Sequence, residues 1–196
     1  MSALVWGRAH TRVCPYRGPP AGPNPTYRKA FVGREAEIRR IHKAFDEAMS
    51  GHGSLVMVVG EPGIGKTSLC EQLATYATLR GGTTLVGHCY EEGSLSLPYL
   101  VFVEAMRSHV LAREPDGLKS DLGSGASEVA RIVSEVRDRL QVEPSAPGDP
   151  EQDRYRLMHA VTSFLTNVAK VQPLVIVLED LHDADRGTID MLTPSP

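Results

Sequence analysis

The chain has 196 residues, 41% hydrophobic and 23% charged, with a formal net charge of −3. That length suits one well-buried α/β core rather than two full domains, and the composition excludes disorder throughout. No apolar run approaches the length of a membrane-spanning helix, and three cysteines without C-x-x-C spacing exclude a disulfide framework or a cysteine-rich zinc site.

Charge is unevenly placed. Residues 1–30 hold five Lys or Arg, five prolines and no acid, which leaves 16 basic against 24 acidic residues in the rest of the chain. The opening segment therefore reads as a disordered basic leader. Its cations are too dispersed for a nucleic-acid-binding block, and residues 1–6 are too short for the apolar region of a signal peptide. With neither a signal peptide nor a membrane span, the expected compartment is the cytoplasm. Cys14, Cys70 and Cys89 are expected as reduced thiols, with Cys70 a small core residue.

The ordered part begins at Phe31-Val32-Gly33-Arg34-Glu35. Ile38, Ile41, Phe45 and Met49 then recur at helical spacing, and Gly51-His52-Gly53 ends that helix. An apolar run over 55–59 predicts a buried parallel strand, and residues 67–79 predict a helix. A second strand is expected over 83–88 after the Gly81-Gly82 break, and a helix over 98–111 with Pro98 in its first turn. This order is β-α-β, the unit of a parallel sheet.

Further along, residues 115–125 read as a polar, glycine-containing connection. Val129, Ile132, Val133, Val136 and Leu140 mark one face of an amphipathic helix, and the proline-rich stretch 144–150 is a loop. A last long helix carries Leu157, Met158, Val161, Phe164, Leu165 and Val168. Pro173 precedes a strand over 174–178 that ends in Glu179-Asp180.

Between the first strand and its helix stands Gly60-Glu61-Pro62-Gly63-Ile64-Gly65-Lys66-Thr67, which satisfies G-x-x-x-x-G-K-[ST] in the strand–loop–helix context that a phosphate-binding loop requires. Glycines let backbone N–H groups approach phosphate oxygens, and the following helix offers its partially positive N-terminus. Lys66 supplies a charge for the β- and γ-phosphates. Thr67 is the expected Mg²⁺ ligand, with Ser68 next to it at the helix start. The acids after the last strand fall at the carboxyl edge of the sheet, where ligands bind in open α/β folds. Glu179 takes the metal-directed place and Asp180 the place nearer the attacking water, with the reverse assignment open. His182 and Asp185 read as a polar exposed turn, with sensing of the γ-phosphate as the sharper alternative.

Together, Phe-Val-Gly-Arg-Glu at 31–35, the loop at 60–67, Leu-Pro-Tyr at 97–99 and Leu-Glu-Asp-Leu-His-Asp-Ala-Asp at 178–185 resemble the AAA-type ATPase domain of origin-recognition-like and STAND signalling ATPases. The resemblance covers residues 31–193, leaving 194–196 as a tail. It implies an α/β P-loop NTPase three-layer sandwich with a mainly parallel sheet, ATP and Mg²⁺ as cofactors, and signal transduction or transcriptional regulation as the setting. Walker A is then 60–67 and Walker B ends at Glu179. Catalytic residues carried over are Lys66, Glu179 and Asp180, while Val32, Gly33 and Arg34 lie near the adenine. Arg34 reads equally as a surface cation paired with Glu35 or Glu37.

Relatives often have Trp where Asp183 stands, and they continue beyond the acidic strand into further core strands and a helical lid. A chain stopping at Pro196 is thus expected to be truncated, with nucleotide binding surviving better than turnover. Expected partners are fused or adjacent regulatory domains and nucleotide-dependent self-association, with no membrane and no nucleic acid through this segment. Two other functions stay open at this point: a small-molecule P-loop phosphotransferase, and a non-enzymatic DNA-bound or scaffolding module.

Overall fold

The structure is a computed structural model that describes residues 33–90 and 98–192 in full and residues 2–7 as backbone. Val32 and Cys14, named above, lie outside the described residues. Among the described residues, four strands form one sheet in the order β2-β1-β4-β3. Their ranges are β1 Ser2–Gly7, β2 Leu55–Val58, β3 Thr83–His88 and β4 Leu174–Glu179.

Strands β3 and β4 pair in parallel, from Thr83 opposite Leu174 to His88 opposite Glu179. Strand β1 runs antiparallel to both of its neighbours, so β2 points the same way as β4 without being bonded to it. The sheet is therefore parallel apart from one reversed strand. That strand corrects the expectation of a disordered leader at its first residues. Ser2–Gly7 contains Leu4, Val5 and Trp6, strand-forming types ahead of the first cation, and the block composition of residues 1–30 conceals that short run. Its ladders satisfy backbone groups of β2 and β4 that face each other across a gap.

Alternation along β4 divides the interior in two. Leu174, Ile176 and Leu178 join a large core with helices α3 (Leu100–Ala112), α4 (Pro115–Leu122), α5 (Ala126–Val129), α6 (Ser134–Leu140) and α7 (Pro150–Val171). Val175 and Val177 join a smaller core with α1 (Glu35–Met49) and α2 (Lys66–Leu79). A strand buried on both faces reads as an unbroken apolar run, and all six β4 residues are buried.

Two expectations of the middle segment are corrected. Residues 115–125 are not a connection: they form α4 and a 3₁₀ turn, because Leu118 and Leu122 stand one helical turn apart and are both fully buried. Pro115 starts this helix, where its missing N–H costs nothing. The single amphipathic helix expected over 129–140 is broken into α5 and α6 by Val133, whose backbone is extended at φ −116°. Val129, Val133 and Val136 are all buried all the same. Burial periodicity survives the break, and helix continuity does not.

Helix α7 starts with Asp149 as N-cap, its carboxylate accepting from Glu151 and Gln152 N–H at 3.1 Å each. Strand β3 lies close to α3 at Gly87, where a Cβ would fall 1.9 Å from the Val101 carbonyl oxygen. Only glycine lets the helix backbone come so near. By contrast β2 is an edge strand: Val58 enters the smaller core, while Leu55 and Met57 on the other face are about half exposed. The buried parallel strand expected over 55–59 is thus a shorter, half-exposed one.

Candidate functional site

Since β2 and β4 point the same way, their carboxyl ends reach the same edge of the sheet, and the loop after β2 meets the turn after β4 there. Pro62, Gly63, Gly65, Lys66, Thr67 and Ser68 line one side of a cleft of about 450 Å³, with Asp180 and His182 on the other. Two motifs more than a hundred residues apart in the chain thus share one cavity.

The loop's shape follows from its residues. Gly65 is the N-cap of α2 with φ +94°, a left-handed conformation that side-chain-bearing residues resist, and no side chain caps the helix behind it. The first N–H groups of α2 are thus left to a ligand, at the positive end of a 14-residue helix. Lys66 folds back so that its Nζ donates to the carbonyls of Gly60 at 3.2 Å and Glu61 at 3.1 Å. Its charge therefore stands within the loop. Glu61 and Ile64 are exposed and outside the cleft lining.

Arg34 is placed by a contact that sequence reasoning missed. Its Nη2 donates to the Ile64 carbonyl at 2.8 Å, linking the segment before α1 to the middle of the loop. It makes no ion pair with Glu35 or Glu37. Gly33, beside it, is exposed.

At the opposite wall, the chain must turn sharply after a fully buried strand. Asp180 takes φ +54°, ψ +38°, a left-handed position that aspartate tolerates better than most residues, and Leu181 is buried just behind it. This combination directs Asp180 to the cleft. His182 borders the same cleft from an exposed position, with its Nε2 3.3 Å from an Asp183 carboxylate oxygen, as a polar exposed turn would place it. Asp185 has a different task. Its carboxylate accepts from Thr188 N–H at 3.0 Å, the Thr188 hydroxyl at 2.6 Å and Tyr99 N–H at 3.2 Å. It thereby ties the start of α8 (Arg186–Leu192) to that of α3.

Glu179 is the least expected member. Only 7% of it is exposed, and it is absent from the cleft lining that includes Asp180. Among the described residues its carboxylate has one side-chain partner, His88, whose Nε2 stands 3.5 Å away. A buried carboxylate so sparsely bonded is costly unless another donor or a cation completes it. It also lies near the first turn of α2: burial, with help from the charges of Glu179 and Glu71, pushes the Cys70 thiol up to about 12. Burial likewise raises Cys89 to about 11, with help from Asp185, Asp180 and Asp183. Both cysteines are buried and unpaired, as small core residues should be.

These donors suit a nucleotide with its magnesium ion. Free N–H groups, a lysine and two hydroxyls face one side and the Asp180 carboxylate stands on the other, with the buried Glu179 carboxylate next to Asp180 in the chain but outside the cleft lining. Among the described residues there is no cluster of three or more His, Cys, Asp or Glu able to hold a metal without such a ligand. Nor is any described helix long and apolar enough to cross a membrane.

Comparison with known proteins gives two matches. The family model described as AAA ATPase domain matches residues 30–194. An uncharacterized protein of Rhizobium meliloti (strain 1021) is 25% identical over 176 residues, covering 83% of this chain and 16% of that protein. The chain therefore spans only a small part of the curated relative it matches. No solved structure matches it.

Proposed function

The chain belongs to the AAA ATPase domain family, and on that premise we propose that it is an ATP-binding P-loop module which, within a longer protein, hydrolyses ATP to drive a signalling or regulatory change. The observation that carries this reading is the shared cleft, in which Lys66, Thr67 and Ser68 face Asp180 and His182.

In this reading the N–H groups at the start of α2 receive the phosphates, and Lys66 exchanges its two carbonyl partners for phosphate oxygens. Thr67 and Glu179 are the residues that would hold Mg²⁺, which when bound neutralises charge on the β- and γ-phosphates. Asp180, held in a left-handed turn at the cleft wall, orients the attacking water. His182, on the same wall, is suited to meet the terminal phosphate. Arg34 keeps the loop in register through Ile64, and with Gly33 it would border the adenine. The finer assignment to the STAND branch, regulatory domains in the longer protein, nucleotide-dependent self-association and the remaining layers of a P-loop sandwich belong to the same proposal.

Titration calorimetry with ATP and Mg²⁺ tests it. Replacing Lys66 by Ala removes a charge-assisted bond and is expected to weaken binding roughly 10- to 100-fold. Equal affinity of parent and Lys66→Ala would refute the reading.

A further inference from the structure

Glu179 does not hold its position alone. His88, the last residue of β3, is its direct neighbour across the parallel ladder, so both side chains leave the sheet on the same face. The imidazole is itself held from the far side. One oxygen of Glu104, on α3, accepts from the His88 backbone N–H at 2.8 Å, and the other lies 3.1 Å from ring Nδ1. A single carboxylate thereby fixes both the main chain and the ring of His88, whose Nε2 lies 3.5 Å from a Glu179 carboxylate oxygen. Tyr90 adds a long contact, its hydroxyl 3.5 Å from the Oε1 of Glu104 that also faces the ring.

We propose that His88 is a positioning residue for Glu179, and that Glu104, His88 and Glu179 form a relay joining helix α3 to the acid of the nucleotide site. The inference deepens the ATP-binding reading and rests on it. Three observations set this histidine apart from an ordinary surface ion pair. The carboxylate it holds is buried, whereas surface pairs join exposed groups and contribute little. That carboxylate has no other side-chain partner among the described residues, so loss of the imidazole leaves it free to rotate or to draw in water. And the ring is oriented by a partner of its own, the arrangement by which outer residues set the direction of a metal-binding group.

The relay has a direction. Helix α3 follows closely after β3, and its Glu104 is half-buried rather than sunk in the core. A displacement of α3 along β3 would reach Glu179 through two contacts, and filling of the nucleotide site would reach α3 by the same route. Neither Glu104 nor His88 is among the residues that line the cleft, and the contact that leads from them toward the site is the one to Glu179.

The test compares ATP affinity with and without Mg²⁺ in the parent, His88→Leu, His88→Gln and Glu104→Ala. Loss of an outer partner typically weakens metal binding by 10- to 100-fold. In His88→Leu the ratio of the two affinities is therefore expected to fall roughly tenfold. Glu104→Ala should lower it less, and His88→Gln, which keeps a side-chain donor, should recover a substantial part. A folded His88→Leu protein whose ratio equals that of the parent overturns the proposal. If the leucine variant does not fold, the glutamine and Glu104→Ala proteins decide it by the same ratio.

A nucleotide-free measurement separates this idea from the function it rests on. Ring nitrogen NMR shifts of His88 are recorded in the parent, Glu104→Gln and Glu179→Gln, with the expectation that each substitution moves the nitrogen it faces. A parent that binds no nucleotide, yet shows those shifts, refutes the ATP reading and leaves the relay as a structural contact. Shifts unaffected by Glu179→Gln overturn the relay itself.

Discussion

The two faces of the sheet are built to different standards. Among the described residues, the large core packs five helices on β3 and β4, with Phe164, Met106, Leu118, Leu122 and Val129 essentially without exposure, and the smaller one packs α1 and α2 over β2 and β4. On the large-core side a buried charged group has two close partners: Asp121 Oδ2 accepts from Arg113 Nε at 2.9 Å and lies 2.9 Å from His109 Nε2. On the other side the strand that leads into the phosphate loop leaves Leu55 and Met57 about half exposed. The candidate site lies at the seam, with its acids delivered by the well-packed strand and its loop by the weakly covered one. A binding loop needs freedom to close on a ligand, whereas acids that direct charge need a fixed frame.

The largest expected effect comes from breaking the stronger side. Phe164 is fully buried on α7 and packs edge-on against His109 at 5.5 Å, so Phe164→Ala should cost about 3–5 kcal/mol in denaturant titrations. Hydrogen exchange in the parent should also be slower in β4 and α7 than in β2 and α1, and equal protection would remove the contrast.

A smaller effect probes the seam. Cys70 sits beneath the loop helix with its thiol raised to about 12 from an ordinary 9.0. The folded state thus holds this proton where the unfolded chain has released it. Stability from this group is complete below pH 9 and falls as pH rises from there toward 12, by about 1.4 kcal/mol per unit. Comparing the parent with Cys70→Ala between pH 9 and 11 isolates that slope, and parallel curves for the two proteins would deny it.

The smallest effect should appear at the bare face of β2. Met57→Lys should change stability by no more than about 0.5 kcal/mol. A markedly larger loss would mean that this face is covered, and the contrast between the two sides would weaken. Light scattering should at the same time show less self-association, because a lysine on an edge strand opposes pairing with another chain.

Legibility differed between the two sides as well. The loop at 60–67 could be read from the sequence because its chemistry is local: glycines for the turn, a lysine and a threonine opening a helix, all within eight residues. The apolar run 174–178 was equally plain, since a strand buried on both faces needs apolar residues at every position. Polar composition hid α4, because two leucines one turn apart are enough to bury a short helix that has a core to rest on. His88 and Glu104 carried no signal at all, since their meaning depends on a strand register and a helix placement.

By itself, then, the sequence determined the α/β class, the phosphate-loop motif and the acidic end of the last strand, because each is written in residues adjacent along the chain. Tertiary structure alone decided that loop and acids face one cleft, that Asp180 turns toward it while Glu179 is held by His88, and that Ser2–Gly7 lies between the two strands bearing them. The physical reason is that strand pairing and helix docking join residues far apart in the chain, and the spacing of residue types does not encode which pairs will meet.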